Sequence, residues 1–219
     1  MPERRFVVLN GNDLTIADIV AVGIGDRDVA LAPEALERCR ASRMFLEEQV
    51  KARRVIYGVN TSFGPMCNKI ISDEQIQQLQ ENLIRSHAAG LGEPFRHYIA
   101  RAVLLVRLNT LVKGYSGVRV ELLEFIRDVL NHGLAPYIPA NGSVGASGDL
   151  VHLAHAALLL IGEGKAFYRG ELMTAEEALA RAQLKPFRLS FKEGIALMNG
   201  TSAMTALAAF NVFSIRKLL

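Results

Sequence analysis

The 219-residue chain has no tryptophan, only two cysteines and a nearly balanced set of charges. Cys39 and Cys67 are too few for a disulfide framework and form no CxxC pair, which favours a reducing compartment. Basic residues exceed acidic ones by three (25 against 22) and are scattered along the chain, so no patch typical of nucleic-acid binding is predicted. We therefore expect neither a disulfide-stabilised secreted fold nor a nucleic-acid partner.

Long hydrophobic runs are also missing. The most apolar stretch, residues 153–161, contains a histidine and is far shorter than a membrane span requires. The N-terminus turns polar too soon for a signal peptide. Hydrophobic residues nevertheless make up 50% of the chain and charged residues 21%, which excludes disorder and allows a sizeable core. We expect a folded, soluble, cytoplasmic protein with no membrane partner.

The residue pattern predicts a mainly helical chain without internal repeats or an inter-domain linker. Apolar residues at helical spacing, often followed by glycine, predict six helices, over residues 33–54, 72–89, 95–112, 118–131, 149–161 and 201–219. The β-branched run 55–59 is predicted to be extended, and residues 166–173 are predicted to form a hairpin. Ser72 and Gln75 have the spacing of a capping box. We expect one domain over 1–219 that stops at the start of a longer helical bundle.

Three glycine-rich segments precede or open predicted helices, at residues 57–65, 141–149 and 199–201. Helix N-termini offer free N–H groups and a positive dipole end, so each segment suits an anion. The central segment lacks the Walker pattern and a strand of the Rossmann type, so no nucleotide cofactor is predicted.

Histidine pairs and lone aromatic residues give weaker signals. His152 and His155 share one helical face, but two ligands without a third do not predict a metal site. Tyr115 either begins a helix or lines a pocket, and the pattern leaves both possibilities open.

The triplet Ala146-Ser147-Gly148 has the residue types for a reaction between its own atoms. The backbone nitrogen of Gly148 can attack the carbonyl carbon of Ala146 and close a five-membered ring. Glycine permits the close backbone approach, alanine leaves space around the carbonyl, and serine loses its hydroxyl as water. The product has an exocyclic methylene conjugated to the ring, which is an electrophile that no ordinary side chain provides.

Four motifs in this order resemble those of the aromatic amino acid ammonia-lyases. Residues 142–150 resemble the family signature, in which Ala-Ser-Gly forms the 4-methylidene-imidazol-5-one group (MIO). Residues 57–64 resemble the tyrosine loop of the family, 80–87 its substrate-selector helix and 198–201 its asparagine turn. The resemblance implies the N-terminal, MIO-bearing region of a mainly α, histidine ammonia-lyase-like fold of the fumarase/aspartase type, with short β-strands.

The same resemblance implies roles for single residues. The Ala-Ser-Gly triplet is the precursor of the electrophile, and Tyr57 is the base that removes the β-proton of the substrate. A tyrosine titrates near ~10, so such a base needs its anion stabilised by positive helix ends. His87 contacts the substrate side chain, and Asn199 lies beside the MIO group and the substrate. Asp149 is either a helix cap or a participant in ring formation.

The implied activity of the full-length enzyme is elimination of ammonia from L-histidine to give urocanate. The Ser86-His87 pair resembles histidine enzymes, although some bacterial tyrosine lyases and aminomutases resemble it too. Ser62 replaces a commoner glycine, and residues 149–155 differ from the usual Asp-Leu-Ala-Pro-Leu-Ala-His. Three alternatives remain open: a tyrosine or phenylalanine ammonia-lyase giving coumarate or cinnamate, a 2,3-aminomutase, and a catalytically silent helical oligomerisation fragment.

The resemblance also implies partners. We expect MIO without a metal or nucleotide, a small aromatic amino acid as substrate, and a homotetramer when the protein is full length. The carboxylate-binding arginine of the family is expected beyond Leu219. The 219-residue chain alone is therefore expected to be inactive, to lack MIO and to self-associate through a face of its last helix that presents Met204, Leu207, Phe210 and Phe213.

Overall fold

The structure is a computed structural model that describes residues 6–61 and 73–219. Its helices are α1 (Ile16–Ile24), α2 (Pro33–Lys51), α3 (Asp73–His87), α4 (His97–Leu111), α5 (Val120–Asn131), α6 (Leu150–Leu160), α7 (Ala175–Arg181), α8 (Glu193–Met198) and α9 (Ser202–Leu218). Its strands are β1 (Phe6–Leu9), β2 (Asp28–Leu31), β3 (Leu91–Pro94), β4 (Leu134–Pro136), β5 (Pro139–Asn141), β6 (Lys165–Tyr168) and β7 (Glu171–Thr174). The predicted mainly α fold class is confirmed.

The strands form small sheets that fasten the ends of helices. β1 pairs with β2 in parallel, β3 pairs antiparallel with β5, and β4, β6 and β7 form a three-stranded antiparallel sheet in that order. The predicted hairpin is the β6–β7 pair, whose turn residues Arg169 and Gly170 both have positive φ (50° and 89°). The β3–β5 pair joins the segment after α3 to the segment that leads into α6.

All six predicted helices are present, and their observed ends differ from the predicted ones by up to three residues. The prediction of an extended run over 55–59 is wrong, because no strand forms in these residues and 57–59 lie in a turn. The Asn60 side chain accepts from the N–H of Ile56 (2.9 Å) and donates to the carbonyl of Arg54 (2.7 Å), which occupies backbone groups that a strand would pair. Ser72, and with it the predicted capping box, lies outside the described residues.

Helix α4 forms the centre of the core. It packs against α1, α5, α9 and β4, and Leu104, Leu105 and Leu108 are at most 1% exposed. Each such leucine stabilises the fold by about 1.5–3 kcal/mol relative to an exposed one. Two arginines, Arg101 and Arg107, interrupt this apolar surface and are also buried.

Two glycine-rich segments are brought together by the packing of α6 against α8 and α9. Residues 141–149 lead into α6, and residues 199–201 connect α8 to α9. The stretch Glu193–Leu218 meets the length and composition of a candidate membrane span, and 39% of its window is buried. It is two helices rather than one, since Asn199 between them is extended (φ −92°, ψ 102°).

The predicted apolar face of α9 is only partly exposed. Met204 is 60% exposed, whereas Leu207, Phe210 and Phe213 are half-buried. Small residues make the close contacts of this helix, because Ala203, Ala206 and Ala209 are buried against the core. Self-association through α9 stays a prediction.

Candidate active site

The Ala146-Ser147-Gly148 triplet lies in a loop with strained backbone. Ser147 has φ of +59°, a left-handed conformation that costs a non-glycine residue about 1–2 kcal/mol. Gly145 and Gly148 on either side also have positive φ (70° and 95°), which glycine adopts without a steric penalty. The strain is therefore concentrated at Ser147, the residue that is predicted to lose its hydroxyl when the triplet closes into a ring.

The triplet is held by the turn between α8 and α9. The N–H of Asp149 donates to the carbonyl of Gly200 at 2.6 Å, and a Cβ atom at Gly148 would overlap that same carbonyl oxygen. No other residue type fits at Gly148, because both the left-handed φ and the contact exclude a side chain. Two backbone segments, distant in sequence, thus touch directly at the triplet.

Two side chains strengthen this contact. Asn199 Nδ2 donates to Ser147 Oγ at 3.3 Å, so the predicted asparagine and the predicted electrophile precursor lie next to each other. Asp149 Oδ2 accepts from the N–H of Met204 at 2.9 Å. Asp149 therefore caps the first turn of α9 rather than its own helix, and no side-chain cap bond to α6 is present.

A cavity of about 480 Å³ opens over the triplet. Its lining includes Tyr57, Ser147 and Asn199, together with Tyr115 and Ser116 from the loop after α4. Tyr57 is 63% exposed, so its phenol is accessible to a ligand in the cavity. Of the two possibilities left open for Tyr115, the structure selects the pocket.

Two cations also line this cavity, and the sequence pattern did not identify either. Burial lowers the pKa of Arg107 to about 10, and burial followed by the charge of Arg107 lowers the pKa of Lys192. No acidic residue stands among the described residues that line the cavity. This arrangement favours an anionic group inside the cavity.

The two cations gave different signals in the sequence. Arg107 is a lone charge within the apolar run 102–108 of α4, and that interruption is a signal that sequence reasoning could have used. Lys192 gave none, because its position depends on a left-handed backbone (φ +73°) just before α8.

Comparison with known proteins identifies the family. Residues 14–219 match the sequence model of aromatic amino acid lyases. The chain belongs to the aromatic amino acid lyase family. The predicted family and its histidine ammonia-lyase-like fold are thereby confirmed, since solved structures of the family superpose on nearly the whole chain.

Three proteins of known type show how similar this lyase-family chain is to histidine ammonia-lyases and to an aminomutase. Histidine ammonia-lyase from Gloeobacter violaceus is 50% identical over 213 residues, which cover 97% of this chain and 41% of the relative. Histidine ammonia-lyase from Trypanosoma cruzi has a solved structure with a TM-score of 0.91 at 37% identity, covering 98% of this chain and 41% of that one. Pantoea agglomerans phenylalanine aminomutase gives 0.90 at 38% identity, with coverages of 97% and 41%. The chain spans about two fifths of the length of these relatives.

His87 is not among the described residues that line the cavity of this lyase-family chain. It is the last residue of α3 and half-buried, with Nδ1 2.9 Å from the carbonyl oxygen of Leu83 and 3.0 Å from Ser86 Oγ. A carbonyl only accepts, so Nδ1 carries the proton and Nε2 is the nitrogen that can accept from a ligand. Tyr57, Ser147 and Asn199 line one cavity, and the predicted selector is not among its described lining residues.

The histidine pair on α6 serves the backbone. His152 Nε2 is 3.2 Å from the carbonyl oxygen of Ala140, and His155 Nε2 accepts from the N–H of Gly90 at 3.0 Å. Within residues 6–61 and 73–219, no group of three histidine, cysteine or acidic side chains is placed to hold a metal ion. The pair ties α6 to β5 itself and to Gly90, the residue just before β3.

Proposed function

We propose that the full-length protein carrying this chain eliminates ammonia from L-histidine and releases urocanate. The observation that supports this most directly is the meeting of Ser147, Asn199 and Tyr57 at one cavity. The comparisons support the substrate class, because relatives at up to 50% identity are histidine ammonia-lyases. The polar selector His87 agrees with a substrate whose side chain is polar.

The proposed electrophile is MIO, formed from the chain's own triplet. A bond forms between the nitrogen of Gly148 and the carbonyl carbon of Ala146, whose oxygen leaves as water. A second water takes the hydroxyl and the Cα hydrogen of Ser147. The triplet suits this group, because the left-handed Ser147 turns the chain back on itself and the Gly200 contact leaves no room for a side chain at Gly148. Once formed, the group supplies the electrophile that makes loss of the amine feasible.

The remaining chemistry falls to ordinary side chains of the cavity. Tyr57 takes the β-proton, and the side chains of Arg107 and Lys192 line the same cavity. Asn199 donates to the serine end of the triplet and fixes its orientation. We expect the side chain of the substrate to extend from the cavity to His87, whose Nε2 accepts a hydrogen bond from it.

A 2,3-aminomutase is the second candidate within the family. The identities to the solved lyase from Trypanosoma cruzi and to the aminomutase from Pantoea agglomerans are nearly equal, at 37% and 38%. The two reactions begin alike and differ in whether ammonia is added back before release. Tyrosine and phenylalanine are the alternative substrates, and a silent oligomerisation module is the alternative from another class. A homotetramer in the cytoplasm, with MIO as its cofactor and no metal or nucleotide, completes the proposal.

The test is a Ser147→Ala substitution in full-length protein, with Ser143→Ala in the same loop as the matched control. Wild type and Ser143→Ala are expected to be two waters lighter than the sequence mass and to form urocanate. Ser147→Ala is expected to keep its full mass and to lose at least about a thousandfold in kcat, since the electrophile is missing. Turnover that survives Ser147→Ala would end the MIO proposal.

The same assay separates the alternatives. Product absorbance is measured with histidine, tyrosine and phenylalanine, and the reaction mixture is searched for β-amino acid by mass. Urocanate alone supports the lyase, whereas β-amino acid among the products identifies an aminomutase. A wild-type protein that is dehydrated and inactive with all three substrates contradicts the proposed substrate class.

A further inference from the structure

Arg107 is a buried cation behind the triplet, and it makes contacts that the chemistry above does not use. It lies on α4 and is 5% exposed. Nη2 donates to the carbonyl of Ala196 near the end of α8. A Cβ atom at Gly200 would overlap Nη1, so the guanidinium lies directly against the backbone of the turn that holds the triplet.

This turn transmits the position of Arg107 to the triplet through two short contacts. The Gly200 carbonyl that accepts from Asp149 also contacts Gly148, and the neighbouring Asn199 donates to Ser147. Arg107 therefore contacts Gly200, which itself contacts Gly148 and directly follows Asn199 in the chain. It touches neither the serine hydroxyl nor the alanine carbonyl in any recorded hydrogen bond.

The environment of Arg107 is unfavourable for a charge. Its Nε has no hydrogen-bond partner among the described residues, and no acidic side chain stands among those that line the cavity with it. Lys192 adds a second positive charge nearby, and burial has already lowered the pKa of Arg107 to about 10. An apolar residue at a purely structural position is often as stable as a buried charge or more so. The free-energy cost of burying the charge of Arg107 without an acidic partner points to a role beyond stability.

We infer that Arg107 is a positioning residue for ring closure. Its guanidinium holds residues 196–200 against Gly148 and so confines the triplet in the left-handed conformation from which the nitrogen of Gly148 reaches the carbonyl of Ala146. Arg107 donates hydrogen bonds only, and all four hydrogens and both oxygens of the two lost waters come from the triplet: the Ala146 oxygen with the amide hydrogens of Ser147 and Gly148, and the hydroxyl with the Cα hydrogen of Ser147. This inference rests on the proposed function, because it concerns formation of the same electrophile.

The experiment compares Arg107→Met and Arg107→Lys with a matched control on the same helix. Arg101 is similarly buried (7%), and its guanidinium donates to carbonyls at the ends of other elements, Val22, Gly23, Leu130 and Leu134. Arg101→Met therefore removes a comparable buried cation without touching the turn at Gly200. Each protein is purified at full length, its fold is checked by circular dichroism and thermal unfolding, and its dehydrated fraction is read from intact mass.

The expected result separates positioning from stability. Folded Arg107→Met is expected to have a dehydrated fraction reduced at least about tenfold after matched incubation, and Arg107→Lys to recover part of it, because an ammonium can still donate to the Ala196 carbonyl. Arg101→Met is expected to unfold at a lower temperature while its folded molecules dehydrate as the wild type does. A general loss of stability would move the melting temperature in both variants but the dehydrated fraction in neither.

Three outcomes contradict the inference or its basis. Folded Arg107→Met with the wild-type dehydrated fraction overturns the role of Arg107 and leaves the proposed function intact. A wild-type protein that keeps its full mass overturns the proposed function itself. If Arg107→Met fails to fold, Gly200→Ala gives the decision, because its methyl group displaces the guanidinium while the charge remains, and an unchanged dehydrated fraction in that variant also overturns the inference.

Discussion

Ser147 has a left-handed backbone because contacts on both sides leave its loop little freedom. Asn199 holds its hydroxyl, and the next residue is pressed against Gly200. Strain of about 1–3 kcal/mol at one residue persists only where the surrounding structure over-determines it. The residue with the most strained backbone in the loop is thus the one whose hydroxyl leaves in the proposed formation of MIO.

At the residue scale, His87 is predicted to set substrate preference. Its Nδ1 is occupied by Leu83 and Ser86, so Nε2 is the polar group offered to a substrate side chain. In His87→Phe, kcat/KM for phenylalanine relative to histidine is expected to rise at least about tenfold, because the imidazole of the substrate loses its hydrogen-bond partner. The measurement is kcat/KM for both substrates in full-length protein.

A control keeps this prediction specific. His97 is exposed on α4, and His97→Phe is expected to leave the preference as it is. An unaltered ratio in His87→Phe would remove His87 from the site residues.

At the level of elements, helices and strands could be predicted from the sequence where their hydrophobic pattern was long. Helices such as α4 and α5 were predictable, because apolar spacing repeated over several turns and a glycine followed. The parallel pair β1–β2 was missed, since all four residues of β1 are apolar and their alternation of exposed and buried positions is not visible in the letters. Residues 55–59 were misread as extended because their conformation depends on a side chain outside the run, Asn60.

In the candidate site, too, residues in local motifs were predictable and residues placed by long-range packing were not. Tyr57, the triplet and Asn199 were predictable because they lie in compact motifs. Arg107 and Lys192 join them only through packing of α4 and α8, and the one local signal, the lone charge of Arg107 in an apolar run, does not show which residues it meets. Motif reading therefore located the candidate reacting groups and missed the charges around them.

Asp149 gives a prediction at the element scale, because it caps α9 from the loop before α6. Asp149→Ala leaves the N–H of Met204 without its acceptor and removes a negative charge from the positive end of α9. We expect the free energy of unfolding to fall by about 1 kcal/mol, with the helical content of α9 reduced. Chemical denaturation followed by circular dichroism measures both.

Asp149→Asn is the matched variant for this prediction. Its side-chain oxygen can still accept from Met204, so most of the stability is expected to return. Equal losses in the two variants would show that the charge matters and the hydrogen bond does not. No loss in either would contradict the cap.

At the scale of the whole molecule, His155 is predicted to make stability depend on pH. Burial, and then the charge of His152, lowers the pKa of His155 below its usual value of about 6.5. The unfolded chain therefore binds a proton in a pH range in which the folded chain does not. Because this proton favours the unfolded chain, the free energy of unfolding decreases as the pH falls below about 6.5 and through the folded-state pKa of His155. The free energy of unfolding is expected to be smaller at pH 5.5 than at pH 7.5.

Two variants assign this pH dependence. His155→Gln keeps an acceptor for the N–H of Gly90 but does not titrate, so the difference between the two pH values is expected to shrink. His132 is exposed, and His132→Gln is expected to behave as the wild type does. Urea titrations at both pH values give the comparison, and an equal difference in His155→Gln would show that another group is responsible.

The contact between Gly148 and Gly200 determines the order of folding and covalent modification. The two residues are 52 positions apart (200 − 148), and their contact exists only after α8 and α9 have docked on α6. On the proposal above, a newly synthesised chain cannot start its own chemical maturation until this part of the fold is complete. A molecule that misfolds keeps an unmodified Ala-Ser-Gly peptide. The covalent modification in any one molecule therefore shows that this molecule has folded.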